Sequence, residues 1–245
     1  MDAEVNGKEE ETMQGIEILR ARYGWPAVSP GLPFDDHGWF GWCHQAVLDA
    51  VLPRDSKIIV ELGSWLGKST RFLLASAPRA TVIAVDHWKG DQSILSGGEQ
   101  EVADRLPRLY EGFLSNCWEH RDRLIPLRRT TCEGLLEIRE SGIEPDFIYL
   151  DAGHQYEEAK GDLEAIGRMF PACLLSGDDY GGKWQGVKQA VDEHAKARGL
   201  EVLTVQHAWT VVRPEMKNGV GIKLVLSENQ RYQCMNEKAE REKGK

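Results

Sequence analysis

The sequence predicts a doubly wound α/β fold whose mostly parallel sheet ends in an antiparallel hairpin. Three features predict it. Apolar runs of strand length alternate with amphipathic helical stretches, the pattern of a parallel sheet covered on both faces. The first run leads into a glycine-containing turn and a helix start, as at a ligand-binding strand end. Near the C-terminus two apolar runs follow one another without a helix between them, so they should pair antiparallel.

Residues 1–12 are rich in Glu and Lys with few apolar side chains and read as a mobile tail, as do residues 228–245. Residues 13–54 form an N-terminal extension. Within it, positions 23–42 combine Pro and Gly with many aromatics. That stretch reads either as a packed lead-in to the sheet or as a lid whose Trp25, Phe34, Trp39 or Phe40 shields a substrate from water.

Residues 55–227 form the ligand-binding domain. Strands are expected at 57–62, 81–86, 124–127, 146–151 and 172–177, with helices near 68–77, 99–119, 132–140, 155–169 and 184–198. Runs at 201–205, 209–213 and 219–226 then read as strands, the last two forming the hairpin.

A net charge of -9 and a pI near 5.4 argue against a general nucleic-acid or anionic-membrane surface, which clustered Lys and Arg would lead. The expected partner is a small molecule. No apolar run reaches transmembrane length, and the acidic N-terminus lacks the basic and apolar regions of a signal peptide, so a cytoplasmic location is expected. A homo-oligomer stays open. Cys43, Cys117, Cys132, Cys173 and Cys234 are odd in number and form no C-x-x-C pair, which argues against a disulfide frame or a zinc site. Cys132 reads as a small apolar filler or as a side chain facing a bound ligand.

The segment from Lys57 to Thr70 reads as a buried strand ending in an acid, a turn through Gly63 and Gly67, and a helix start that favours a polar or anionic group. A P-loop needs four residues between its glycines. Only Ser64, Trp65 and Leu66 separate Gly63 from Gly67-Lys68-Ser69, although the run 147–150 ending in Asp151 does mimic the acidic strand of an NTPase. A dinucleotide fingerprint wants Gly-x-Gly-x-x-Gly, and Ser64-Trp65 would block a pyrophosphate. The third reading is a nucleoside without phosphates, with Asp86 at the end of the second strand able to accept from both ribose hydroxyls.

Glu61-x-Gly63-x-x-x-Gly67 resembles the first motif of class I S-adenosylmethionine-dependent methyltransferases, and a parallel sheet ending in a hairpin resembles their seven-stranded, Rossmann-like fold. The resemblance implies that Glu61, Gly63 and Gly67 hold the amino-acid end of the cofactor. Ser64, Trp65 and Ser69 would line its methionine, Asp86 its ribose, and His87 or Trp88 with Thr131 its adenine. Trp65 and Trp88 fit a core role equally well.

Acids that end parallel strands share one rim, so Glu61, Asp86, Asp151, Asp178 and Asp179 should gather around one cleft. Clustered carboxylates repel unless a cation or protonation relieves them. Asp151, Asp178 and Asp179 would supply hard oxygens suited to Mg²⁺, or Asp178 or Asp179 would cap the following segment.

Asp86-His-Trp-Lys-Gly-Asp91, Tyr149-Leu-Asp-Ala-Gly-His-Gln-Tyr-Glu-Glu158 and Gly177-Asp-Asp-Tyr180 followed by Gly186-Val-Lys-Gln-Ala-Val-Asp192 resemble a narrower bacterial methyltransferase family. It is similar to that family's small-molecule and sugar O-methyltransferases, relatives of the macrocin-type enzymes, over about residues 55–195. Metal-dependent members hold the ion with an acid at the fourth strand and two after the fifth, which Asp151, Asp178 and Asp179 match. Asp151 is therefore expected in catalysis and beside the cofactor as well. Some members carry a second acid two residues on as the base. Gly153 stands there, and His154 is the expected replacement, since a neutral imidazole accepts a hydroxyl proton. Capping or packing would also explain His154, and His37 with Asp35 and Asp36 is the reserve.

The expectation is an S-adenosylmethionine-dependent O-methyltransferase of a hydroxylated small molecule such as a sugar or polyketide, assisted by Mg²⁺. Nitrogen and carbon acceptors stay open. The rivals are an NTPase using Lys68 and Ser69, and a non-catalytic domain that keeps the fold and binds the cofactor.

Overall fold

The computed structural model describes residues 2–90, 100–220 and 223–224. Its elements run α1 (Asp2–Arg22), α2 (Trp42–Val51), β1 (Ile58–Leu62), α3 (Lys68–Ser76), β2 (Thr81–Asp86), α4 (Gln100–Ala103) and α5 (Leu109–Asn116). They continue as β3 (Leu124–Arg128), α6 (Thr131–Glu140), β4 (Phe147–Leu150), α7 (Tyr156–Met169), β5 (Leu174–Gly177), α8 (Gln185–Arg198), β6 (Glu201–Val205) and β7 (Ala208–Val212). The seven strands are ordered β3-β2-β1-β4-β5-β7-β6. The first five run parallel, and β7 lies antiparallel between β5 and β6.

Strand periodicity sets the two faces. Ile58, Val60 and Leu62 of β1 join Ile83, Val85, Ile148 and Leu150 beneath α1, α6, α7 and α8. Ile59, Val82, Ala84, Phe147 and Tyr149 face the other way, toward Leu48, Leu73, Leu74 and Phe113 of α2, α3 and α5. All five β1 positions are buried, so Glu61 is a carboxylate at a core position.

The structure departs from the sequence reading in three places. Residues 2–12, expected as a tail, are the first turns of α1. Glu and Lys are strong helix formers, so the helix extends outward from the part docked through Ile16 and Leu19. The dock is tight: a Cβ on Gly15 would stand 2.2 Å from the Ser141 carbonyl oxygen. The helix expected at 99–119 is broken into α4, a 3₁₀ turn at Leu106–Arg108 and α5, because Pro107 has no amide to donate; residue 99 is outside the described residues. The hairpin pairs β6 with β7 rather than 209–213 with 219–226, and residues 217–220 and 223–224 are helical. A short apolar run does not by itself separate strand from helix. Positions 221–222, 225–226 and 228–245, with Cys234, lie outside the described residues, as does Asp91.

Because β7 runs against β5, the β6–β7 turn lies on the rim where the parallel strands end. Among the described residues no helix is long and apolar enough to cross a membrane.

Candidate active site

A cleft of about 810 Å³ opens along this rim, in the range of small-molecule sites. Its first wall is the β1–α3 turn. Gly63 sits at φ 85°, and a Cβ there would fall 1.8 Å from the Asp151 carbonyl oxygen, so only glycine lets β1 and β4 end side by side. Gly67, at φ 81°, starts α3 against Cys117 and Phe113.

The amides of this turn are already engaged. Ser64 N and Trp65 N each donate to Asp86 Oδ2 at 3.0 Å, and Trp88 N donates to Asp86 Oδ1 at 2.6 Å. A carboxylate at the centre of the turn would repel a phosphate, and Lys68 pairs with Asp36 at 3.4 Å. The NTPase alternative finds no support here.

Glu61 lies under the turn rather than on the cleft wall. Its Oε2 accepts from Ser64 Oγ at 2.7 Å and from Thr70 Oγ1. Burial raises its carboxyl to about 6, although the Ser64, Ser69 and Thr70 hydroxyls pull it down. Trp88 is also a core residue: it packs on Tyr110 and Phe113 and donates from Nε1 to the Trp65 carbonyl. Gly63, Ser64, Trp65, Ser69, Asp86, His87 and Thr131 do reach the cleft.

On the wall past β3, Thr131 Oγ1 donates to Asp162 Oδ1 at 2.5 Å, with Cys132 Sγ 3.5 Å from the same oxygen. Burial raises the Asp162 carboxyl to about 6. Cys132 is exposed on this wall.

The far end holds the acid cluster. One oxygen from each of Asp151, Asp178 and Asp179 lies within 4.8 Å of the others. Burial, then the charges of Asp178 and Asp179, push the Asp151 carboxyl well above the usual range. His154 Nε2 lies 3.0 Å from Asp179 Oδ2, and its ring stacks on Trp184 at 4.2 Å. Asp178 meets two histidines: His207 Nδ1 at 2.5 Å and His44 Nε2 at 2.9 Å. Burial opposes both charges, yet these bonds hold Asp178 at about 2 and raise His44 to about 10.

His37 is not brought to the acids. It accepts from Trp65 Nε1 at 3.1 Å and packs against Trp39, while Asp35 pairs with Arg105 and Asp36 with Arg71. Of the four lid aromatics, Trp39 and Phe40 line the cleft. Trp25 instead packs on Trp118, and Phe34 on the Arg71 guanidinium.

Sequence reading missed His44, His207 and Asp162. A signal for His207 existed: a hairpin whose second strand runs against β5 must turn on the ligand rim. Asp162, one helical turn and more into α7, carried none.

Residues 60–180 match the family model described as a methyltransferase domain. No curated protein sequence matches the chain significantly. Among solved structures the chain is similar to the Methanococcus jannaschii fibrillarin pre-rRNA processing protein, at 16% identity over 71% of this chain and 75% of that one with a TM-score of 0.49. It is also similar to Aeropyrum pernix fibrillarin with natively bound S-adenosyl-L-methionine, at 17% identity over 75% and 86% with a TM-score of 0.48. An O-methyltransferase from Bacillus cereus in complex with SAH gives 18% identity over 83% and 91% with a TM-score of 0.46. The matched residues are just under half of the chain and resemble a methyltransferase domain, and the seven-stranded sheet with its reversed β7 is the α/β, Rossmann-like arrangement that accompanies that resemblance.

Proposed function

We propose that the protein transfers a methyl group from S-adenosylmethionine to a hydroxyl of a small molecule, of sugar or polyketide type, with Mg²⁺ assistance. One observation carries this reading: a single cleft joins the Asp86 turn at one end to Asp151, His154 and Asp179 at the other.

The donor set fits the cofactor. A carboxylate offers about four acceptor sites. The three amides at Asp86 leave room for about one ribose hydroxyl, and His87, Thr131 and Asp162 offer polar groups where the base would lie. Ser69 and the start of α3 face the methionine end.

Displacement at a sulfonium methyl needs the nucleophile in line, so positioning supplies much of the rate. His154, held by Asp179 and stacked on Trp184, would take the hydroxyl proton. The crowded oxygens of Asp151, Asp178 and Asp179 fit a hard cation that relieves their repulsion. Mg²⁺ there would lower the pKa of an acceptor hydroxyl.

Calorimetric titration of S-adenosylhomocysteine tests the cofactor without knowledge of the acceptor. Micromolar binding, weakened in Asp86→Ala, is expected; absence of binding would remove the proposal. An acceptor screen with and without Mg²⁺ then tests the substrate class and the metal separately.

A further inference from the structure

Cys43 and His44 open α2, and His207 lies in the β6–β7 turn 164 residues after Cys43, yet their side chains meet behind Asp178. Cys43 Sγ lies 3.5 Å from His44 Nδ1 and 3.7 Å from His207 Nε2. A tetrahedral ion about 2.3 Å from sulfur and about 2.1 Å from nitrogen sets its S···N edges at about 3.6 Å. One ligand atom from each of the three residues lies within 4.8 Å of the others.

The orientation of the rings is the second observation. Asp178 engages the far nitrogen of each, Nδ1 of His207 and Nε2 of His44. The opposite nitrogens are thereby turned toward one thiol. A carboxylate behind a ligating imidazole fixes its tautomer and raises its basicity, and here one carboxylate serves two rings.

We infer that Cys43, His44 and His207 form a binding site for a borderline divalent transition-metal ion, with Zn²⁺ as the type, whose ligands differ from the hard-oxygen set of Asp151, Asp178 and Asp179 although Asp178 stands behind both. Thiolate and imidazole donors select such an ion over Mg²⁺. Binding releases to solvent the Cys43 thiol proton and any second proton carried by the His44 or His207 ring, and involves no change of oxidation state. The Gly41 amide reaches His44 Nδ1 at 2.8 Å, so the ion must displace that hydrogen bond. Cys43 and His44 are buried, but the His207 side chain is 45% exposed and lines the cleft, which gives the ion an entry path. Three protein ligands leave a fourth position for water or an acceptor oxygen. Spacing along the chain argued against zinc, because an adjacent Cys-His pair completed from a distant turn matches no linear motif.

The test uses the full chain stripped with chelator and titrated with Co²⁺, without cofactor, so it stands apart from the methyl-transfer reading. One equivalent is expected to bind with a thiolate-to-cobalt charge-transfer absorption that Zn²⁺ abolishes by displacement and excess Mg²⁺ does not. Cys43→Ser should remove that band. His207→Gln, at a half-exposed position, should weaken binding more than about tenfold, and Asp178→Asn about 10–100-fold. Asp151→Asn should leave the charge-transfer band unchanged. Failure of the wild-type chain to bind one equivalent would overturn the site, as would a band that survives both Cys43→Ser and His207→Gln.

Discussion

His207 Nδ1 lies 2.5 Å from Asp178 Oδ1, which ties the β6–β7 turn to the end of β5. Asp178 is fixed from behind as well: its carbonyl accepts from the buried Trp209 Nε1 at 2.7 Å, and its amide donates to the Leu150 carbonyl. Removing one member of a buried charged pair strands the other, at a cost of roughly 3–5 kcal/mol. Asp178→Ala should therefore lower stability by about that much in urea unfolding. A loss below about 1 kcal/mol would show that His44 and His207 do not depend on this carboxylate.

Glu61 gives a pH signature. Its folded carboxyl titrates at about 6 against an ordinary 4.5, so between those values the folded chain binds more protons than the unfolded one. Stability from this group is present below pH 4.5 and is lost as pH rises through 6, by about 2 kcal/mol. Glu61→Gln, which keeps an acceptor for Ser64 and Thr70, should remove that part of the slope. Urea midpoints at pH 4.5 and pH 7 for both proteins measure it; parallel pH profiles would refute the assignment. Asp162 and His194 titrate in the same region with opposite signs, so the difference between the two proteins is the informative quantity.

Gly63→Ala tests the turn. Its φ of 85° costs an L-residue about 1–2 kcal/mol, and the Cβ would also meet the Asp151 carbonyl oxygen. The variant should lose more than that strain alone, and S-adenosylhomocysteine binding with it. Gly182→Ala, also at positive φ but with open space around its Cβ, should show the strain alone. Equal losses in both variants would mean that β4 does not press on the turn.

These outcomes bear on what the sequence disclosed. Asp86, Asp151, Asp178 and Asp179 were legible because each ends a parallel strand, and such ends gather on one rim whatever the loops do. The direction of the turn's amides was not: Ser64 and Trp65 point at Asp86 through a backbone in which Trp65 itself has φ 48°, an angle no spacing rule predicts. Glu61 was legible as an acid at the strand end, but its depth follows from the alternation of β1, which places it under the turn beside Thr70. Cys43 and His207 come together only through the place of β7 in the sheet.

Trp39 is 48% exposed at the mouth of the cleft, between His37 and Trp65. If it closes over bound cofactor or acceptor, Trp39→Ala should change stability by less than about 0.5 kcal/mol. It should also weaken S-adenosylhomocysteine binding by about 1 kcal/mol, or roughly fivefold. Unchanged affinity together with an unchanged KM for the acceptor would assign the segment to packing alone.

The size of the His154 effect separates two ways of activating the acceptor. A general base contributes about 10²–10⁴-fold, so if His154 takes the hydroxyl proton, His154→Gln should lower kcat by that factor and leave S-adenosylhomocysteine affinity unchanged. If a cation at Asp151, Asp178 and Asp179 acidifies the hydroxyl, the proton leaves without help and the variant should lose less than about tenfold. The pH profile distinguishes a third case. In His154→Gln the ring that stacks on Trp184 and pairs with Asp179 is gone. A fall in kcat that rising pH restores would mark a missing base, whereas a fall that is constant with pH would mark displacement of Asp179. Initial rates from pH 6 to 9, with Mg²⁺ present and with chelator, decide among the three.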